Sequence, residues 1–162
     1  MQELKLLQIN LHKSKTASAE LLLRLEERGY DAALVQEPWI ASGNEVSGIK
    51  SRSFHTYFPD AQNKVRTAML VSKNVNSYFI SNLSTDSLTV VVIEGGRDEP
   101  TLLASYYMSH DAEAPPQELQ KLVRQAGERK QPFVVGTDAN AHRTLWGSSD
   151  LNGRGESLFF SY

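Results

Sequence analysis

The sequence predicts an α/β protein whose mixed sheet is covered by helices, and three observations carry that expectation. Short apolar runs suited to strands recur along the chain, separated by two stretches with the 3.6-residue periodicity of amphipathic helices. Several strand-like runs follow one another directly in the middle, so the sheet is not purely of the strand–helix–strand kind. The helical stretches flank that middle block, as they do when helices cover a sheet.

Taken in order, LKLLQIN (4–10) reads as a strand and ASAELLLRLEERG (17–29) as a helix. Leu21, Leu22 and Leu25 share one face of that helix, and Gly29 is the expected C-cap, where a left-handed residue closes the last turn. DAALVQE (31–37) is a second strand, stopped by Pro38. The segment WIASGNEVSGIKSRS is rich in Gly and Ser and is expected to be an exposed loop. Five strands are then expected, at 55–58, 66–72, 76–81, 87–95 and 101–108, with Gly95-Gly96-Arg97-Asp98 forming a hairpin between the last two. PPQELQKLVRQAGERK (115–130) is a helix with Pro at its start and Leu119, Leu122, Val123 and Ala126 along one stripe. PFVVGT (132–137) is another strand, and RGESLFFSY is expected to begin a helix. A finished domain rarely stops inside its last helix, so the chain is expected to end short of its domain boundary.

At 162 residues the chain has the length of one domain able to bury a sizeable core. Its 40% hydrophobic and 22% charged residues are ordinary for a globular protein, and no run approaches the apolar length of a membrane span. The N-terminus lacks the charged-then-apolar layout of a signal peptide. Cysteine is absent, which excludes disulfides, zinc–thiolate sites and cysteine nucleophiles and fits a reducing compartment. A net charge of −2 is not that of a protein held to nucleic acid by charge alone, so a nucleic-acid partner would need a localised site.

Open α/β sheets bind their ligands at the carboxyl ends of strands. Here those ends carry Gln8-Ile9-Asn10, Gln36-Glu37-Pro38, Ser105-Tyr106-Tyr107, and Asp138 with Asn140. Residues two apart on a strand share a face, so Asp138 and Asn140 can point to the same side. Two carboxylates, two carboxamides and a phenol thus meet at one mouth if the strands align. Such an oxygen-rich, sulfur-free set suits a magnesium ion that keeps several waters and completes its shell with phosphate. Singly, each residue has an ordinary role: Glu37 as a solvated carboxylate, Asn10 as a turn residue, Tyr107 as a core aromatic and His142 as a surface histidine. Their joint occurrence at four strand ends is what points to chemistry.

The order Gln8-x-Asn10, Gln36-Glu37-Pro38, Ser105-Tyr106-Tyr107 and Gly136-Thr137-Asp138-Ala139-Asn140-Ala141-His142 resembles that of the endonuclease/exonuclease/phosphatase superfamily. Within it, the tail Asn140-Ala141-His142-x-x-x-Trp146-Gly147-Ser148 followed by Asn152-x-Arg154-Gly155-Glu156-x-Leu158 resembles the apurinic-type endonuclease domain of non-LTR retrotransposons, the jockey-like and ribosomal-DNA-inserting groups in particular. The resemblance runs from Leu4 onward. It implies a DNase I-like four-layer α/β sandwich, with residues 1–162 forming one domain that lacks its C-terminal part and an incomplete second sheet. It implies a DNA endonuclease that uses magnesium, with manganese as a substitute, and nicks target DNA for insertion of a retroelement. Glu37 would be the metal ligand, assisted by Asn10; Asp138 would orient the attacking water; Asn140 would contact the scissile phosphate; Tyr107 would be the active-site tyrosine. His142 and Arg143 would line the DNA-facing rim and Trp146 would anchor the loop. The resemblance further implies a nuclear location and a reverse transcriptase domain on the same polypeptide. Two departures stand out: Ser109 occupies the place of a family proline, and the family's Ser-Asp-His motif has no counterpart in the sequence. A chain without that motif is expected to be inactive by itself. Other readings are a non-catalytic fragment of such a domain and a repair-type abasic-site nuclease or phosphatase of the same superfamily.

Overall fold

Apolar runs such as Ala32–Val35 and Val90–Ile93 have no polar side to offer water, so the strands they form must be covered on both faces. The computed structural model describes residues 4–41, 45–60, 64–94, 99–108, 117–138 and 159–161, with residues 138 and 159–161 as backbone only. Its elements are β1 (Leu6–Asn10), α1 (Lys15–Arg28), β2 (Ala32–Gln36), β3 (Phe54–Tyr57), β4 (Thr67–Ser72), β5 (Asn76–Phe79), a 3-10 turn (Ser81–Leu83), β6 (Leu88–Glu94), β7 (Thr101–Tyr107), α2 (Gln117–Glu128), β8 (Phe133–Asp138) and β9 (Phe159–Ser161).

The strands form two sheets, in the orders β1-β2-β4-β3 and β5-β6-β7-β8-β9. Only β1 with β2 and β7 with β8 run parallel. The sheets lie face to face, with Leu34, Met69 and Val71 of one against Val91, Ile93 and Leu103 of the other. On the outer face of the first sheet, Leu21 and Leu25 of α1 cover Ala33, Val35, Ala68 and Leu70. On the outer face of the second, Leu122 and Ala126 of α2 cover Val90, Val92, Leu102 and Ala104. Helix, sheet, sheet and helix thus make the four-layer sandwich that the resemblance implied. Periodicity read alone suggested a single mixed sheet, because it reports which faces are apolar and not which strands pair.

Among the described residues the local expectations hold with four corrections; the Gly95-Gly96-Arg97-Asp98 connection and the Pro start of the second helix lie outside them. Helix α1 starts at Lys15, since the Ser14 hydroxyl accepts the Ala17 N–H as an N-cap; Gly29 closes it at φ 64°, as expected. The Gly/Ser-rich segment after β2 is not simply an exposed loop, because Val46 and Ile49 are fully buried in the α1-side core. Val123 is 42% exposed and does not belong to the buried stripe of α2. Phe159–Ser161 is a strand, not a helix, antiparallel to β8 with Val134 opposite Ser161 and Gly136 opposite Phe159. A short aromatic run is ambiguous in sequence, and an edge able to donate and accept backbone hydrogen bonds decides it. Strand β8 is therefore paired on both sides.

Between the sheets the chemistry changes along the strands. At one end the layer is apolar: Leu34, Met69, Val71, Val91, Ile93, Leu103. Toward the carboxyl ends of β1, β2, β7 and β8 it becomes polar while staying buried, with Gln8, Gln36, Thr67, Thr89 and Ser105 all at most 2% exposed. Gln8 Nε2 donates to Gln36 Oε1. Gln36 Nε2 donates across the gap to Ser105 Oγ at 2.9 Å and to the Gly136 carbonyl at 3.3 Å. Ser105 Oγ donates back to the Val35 carbonyl at 2.7 Å, and the Thr67 and Thr89 hydroxyls bond at 2.6 Å. Directional bonds fix one sheet against the other in a way that apolar contact does not.

Gly136 sits where this bridge is tightest. A Cβ there would stand 2.6 Å from Leu34 Cδ1, 3.0 Å from Leu34 Cβ and 3.1 Å from Gln8 Cγ. Gly136→Ala is expected to lower stability by about 1–3 kcal/mol through overpacking, read as a reduced urea midpoint with an unchanged slope.

Candidate active site

Strand β2 stops because its next residue leaves the extended region. Glu37 lies at φ 47°, in left-handed space that a side chain enters at a cost of about 1–2 kcal/mol. The turn between β1 and α1 is similarly strained, with His12 at φ 48° and Lys13 at φ 59°. Among the described residues these are three of the four non-glycine positions with positive φ, the fourth being Lys130. Backbone bonds hold the corner: Leu11 N–H to the Gln36 carbonyl at 2.9 Å, Lys13 N–H to the Glu37 carbonyl at 2.8 Å, and Glu37 N–H to the Arg66 carbonyl at 2.8 Å. Asn10, 4% exposed, accepts the His12 N–H on Oδ1 at 2.8 Å. The Glu37 carboxylate, a fifth exposed, stands 3.3 Å from His12 Nδ1.

The second sheet brings its residues to the same end. Tyr107 is the last residue of β7 and pairs in register with Asp138, the last of β8. Strand alternation separates the two tyrosines. Tyr106 is 2% exposed, packs in the α2-side core, and donates its hydroxyl to Glu118 Oε1 at 3.4 Å. Tyr107 follows Leu103 and Ser105 on the side that faces the other sheet, and the Arg66 guanidinium covers its ring at 5.3 Å from the centroid. Tyr107 is therefore the tyrosine on the face toward the other sheet.

Asn10, Glu37 and Tyr107 thus share one end of the sandwich with the backbone of Asp138. Asn140, His142, Arg143 and Trp146 lie outside the described residues. Sequence reasoning missed Arg66 and the strained His12–Lys13 turn. It searched only strand carboxyl ends, whereas β4 runs antiparallel to β2 and enters the site with its amino end. The signal for Arg66 was a lone arginine directly before the apolar run TAMLV.

As a metal site the donor set is hard and sparse. Among the described residues no group of three or more His, Asp or Glu side chains converges. One partly open carboxylate among oxygen donors fits a small divalent cation that keeps its waters and shares a phosphate, and does not fit an all-protein cage.

A sequence family described as endonuclease-reverse transcriptase matches residues 101–161, the stretch that supplies Tyr107 and Asp138. The endonuclease domain of TRAS1, a telomere-specific non-LTR retrotransposon, superposes with a TM-score of 0.70 at 28% identity over 94% of this chain and 66% of that one. The chain is thus similar to proteins of the endonuclease/exonuclease/phosphatase superfamily. It spans about two thirds of the TRAS1 domain's length. The same fold recurs in a superfamily protein from Leptotrichia buccalis (TM-score 0.60, 12% identity, 86% of this chain and 67% of that one). It recurs again in a humanized D. rerio TDP2 (0.59, 16%, 87% and 64%). These last two likenesses concern the fold alone. No curated protein matches the sequence significantly.

Burial and charge explain the environments of the two tyrosines. Burial first, and then the Glu118 carboxylate, push the Tyr106 phenol up to about 12 from its ordinary 10.0. A phenol that ionises later when folded favours the native state below pH 10, and this advantage fades as pH rises toward 12. Chemical denaturation across that window is expected to show wild type losing stability more steeply than Tyr106→Phe. A second outcome concerns the strained corner. Glycine enters left-handed space without a Cβ penalty, so Glu37→Gly is expected to be about 1 kcal/mol more stable than Glu37→Ala, measured by urea unfolding.

Proposed function

We propose that this chain is the endonuclease domain of a non-LTR retroelement, or the greater part of one, and that it hydrolyses a phosphodiester bond to nick target DNA for insertion. The observation that carries the reading is the convergence of Asn10, Glu37, Tyr107 and Asp138 at one end of two facing sheets, in a chain 28% identical to the TRAS1 endonuclease domain. On this reading Asp138 orients water and accepts its proton as the oxygen adds to phosphorus. The P–O3′ bond then breaks and the departing oxygen takes a proton from a second water, leaving a 3′-hydroxyl that a polymerase can extend. Tyr107 and Asn140 donate hydrogen bonds to the phosphate. Asn10 holds the turn beneath Glu37, and Glu37 is the ligand for magnesium or manganese. The cation supplies polarisation of the phosphoryl oxygen and stabilises charge on the leaving group.

The same reading puts a reverse transcriptase on the same polypeptide and the site of action in the nucleus. No helix among the described residues is long and apolar enough to cross a membrane. The family's Ser-Asp-His segment has no counterpart in the sequence, so the 162 residues alone are expected to nick feebly if at all.

The test is a supercoiled-plasmid nicking assay on a polypeptide that includes that segment. Glu37→Ala is expected to slow nicking at least ~10²-fold, because a metal contact contributes several kcal/mol and about 1.4 kcal/mol is tenfold. Asp138→Asn is expected to abolish cutting while duplex binding persists or tightens, since repulsion from phosphate is relieved. Nicking at the wild-type rate by Glu37→Ala would overturn the proposal.

A further inference from the structure

Arg66 is placed where a nuclease needs a cation, and nothing in the site described above uses its side chain. Its backbone is fully engaged: its N–H donates to the Asp86 carbonyl at 2.8 Å and its carbonyl accepts from Glu37 N–H at 2.8 Å. The side chain is exposed and lies over the Tyr107 ring, with Cζ 5.3 Å from its centre. Among the described residues its guanidinium makes no hydrogen bond and no ion pair, and the Glu37 carboxylate pairs with His12.

A guanidinium stacked on an aromatic face keeps its N–H edge pointing outward, and that planar fork matches phosphate oxygens bidentately. Stacking also restricts a side chain that would otherwise lose much rotamer freedom on binding. The neighbouring carboxylates repel DNA, so a fixed cation beside them offsets the repulsion where the strand must approach. We propose that Arg66 contacts a backbone phosphate of duplex DNA, with Tyr107 as the platform that orients it. The inference rests on the nuclease reading and adds a residue to it. A phosphate contact carries no base information, so Arg66 raises affinity equally for all sequences.

The test is fluorescence anisotropy of the full 162-residue chain on a labelled duplex, without divalent cation so that nothing is cut, over a series of salt concentrations. Arg66→Met is expected to weaken binding about tenfold, as for loss of a charge-assisted bond. It should also reduce the slope of log affinity against log salt by about 0.9, the value of one released counterion. Arg66→Lys keeps the charge without the stacked fork, so it should retain the slope and lose part of the affinity. Lys73→Met, at the far end of β4 from the site, removes the same charge and should change neither. A wild-type slope in Arg66→Met, an equal loss in Lys73→Met, or wild-type affinity in Arg66→Lys would overturn the inference. A wild-type chain with no salt-dependent duplex binding would overturn the nuclease reading itself.

Discussion

The two sheets are held in one register by the Gln36 carboxamide. It accepts from Gln8 on its own sheet and donates to Ser105 and Gly136 on the other, and all of this is buried. Removing one partner from such a network leaves a polar group stranded in a low-dielectric interior, at about 1–3 kcal/mol. What depends on it is position. Asn10 lies two residues after Gln8, Glu37 one after Gln36, Tyr107 two after Ser105 and Asp138 two after Gly136. Each candidate functional residue is thus carried by a strand pinned immediately beneath it. The Glu37 carboxylate at the mouth is partly exposed and the layer below it is bonded, so the separation of the two halves of the site is set by buried hydrogen bonds.

Strain at the same corner has the opposite sign. Glu37, His12 and Lys13 occupy left-handed backbone that favours glycine, and the bonds to Arg66, Lys13 and Asn10 keep them there. The geometry presents Glu37 beyond the end of β2, where an extended residue would have continued the strand. Stability is given up at the one place where a carboxylate must project, and the sandwich beneath supplies it. Apolar layers on both faces of each sheet, closed by α1 and α2, provide that reserve.

Charge is distributed in keeping with a local site and not a basic surface. The chain as a whole is slightly acidic, with 17 Lys and Arg against 19 Asp and Glu. Yet the His12 imidazole stands 3.3 Å from the Glu37 carboxylate, and the Arg66 and Lys15 cations each lie 5.3 Å from a ring centre, Tyr107 and Trp39. Long-range attraction to a polyanion is therefore weak, and electrostatic contact is confined to a few positioned groups.

The sequence by itself determined most strands, both helices and the strand ends on which polar residues collect, because period-2 and period-3.6 patterns and caps such as Gly29 are local properties. Alternation also put Tyr106 and Tyr107 on opposite faces of β7, and only the packing of Leu103 and Ser105 against the other sheet decided which face is which. Residues such as Asn10, Glu37 and Asp138 were legible only as an ordered set resembling a family, since each alone is an ordinary turn or surface residue. What only the tertiary structure decided was pairing: two sheets and not one, β9 on the edge of β8, and Val46 and Ile49 buried from within a Gly/Ser-rich segment. Pairing decided Arg66 as well, because an antiparallel β4 delivers its amino end to a site whose other strands deliver their carboxyl ends. The Gln8–Gln36–Ser105 bridge was invisible for the same reason. Hydrogen bonds between residues 28 and 69 positions apart leave no mark on either segment's periodicity, and only the packing of one sheet on the other brings the partners within reach.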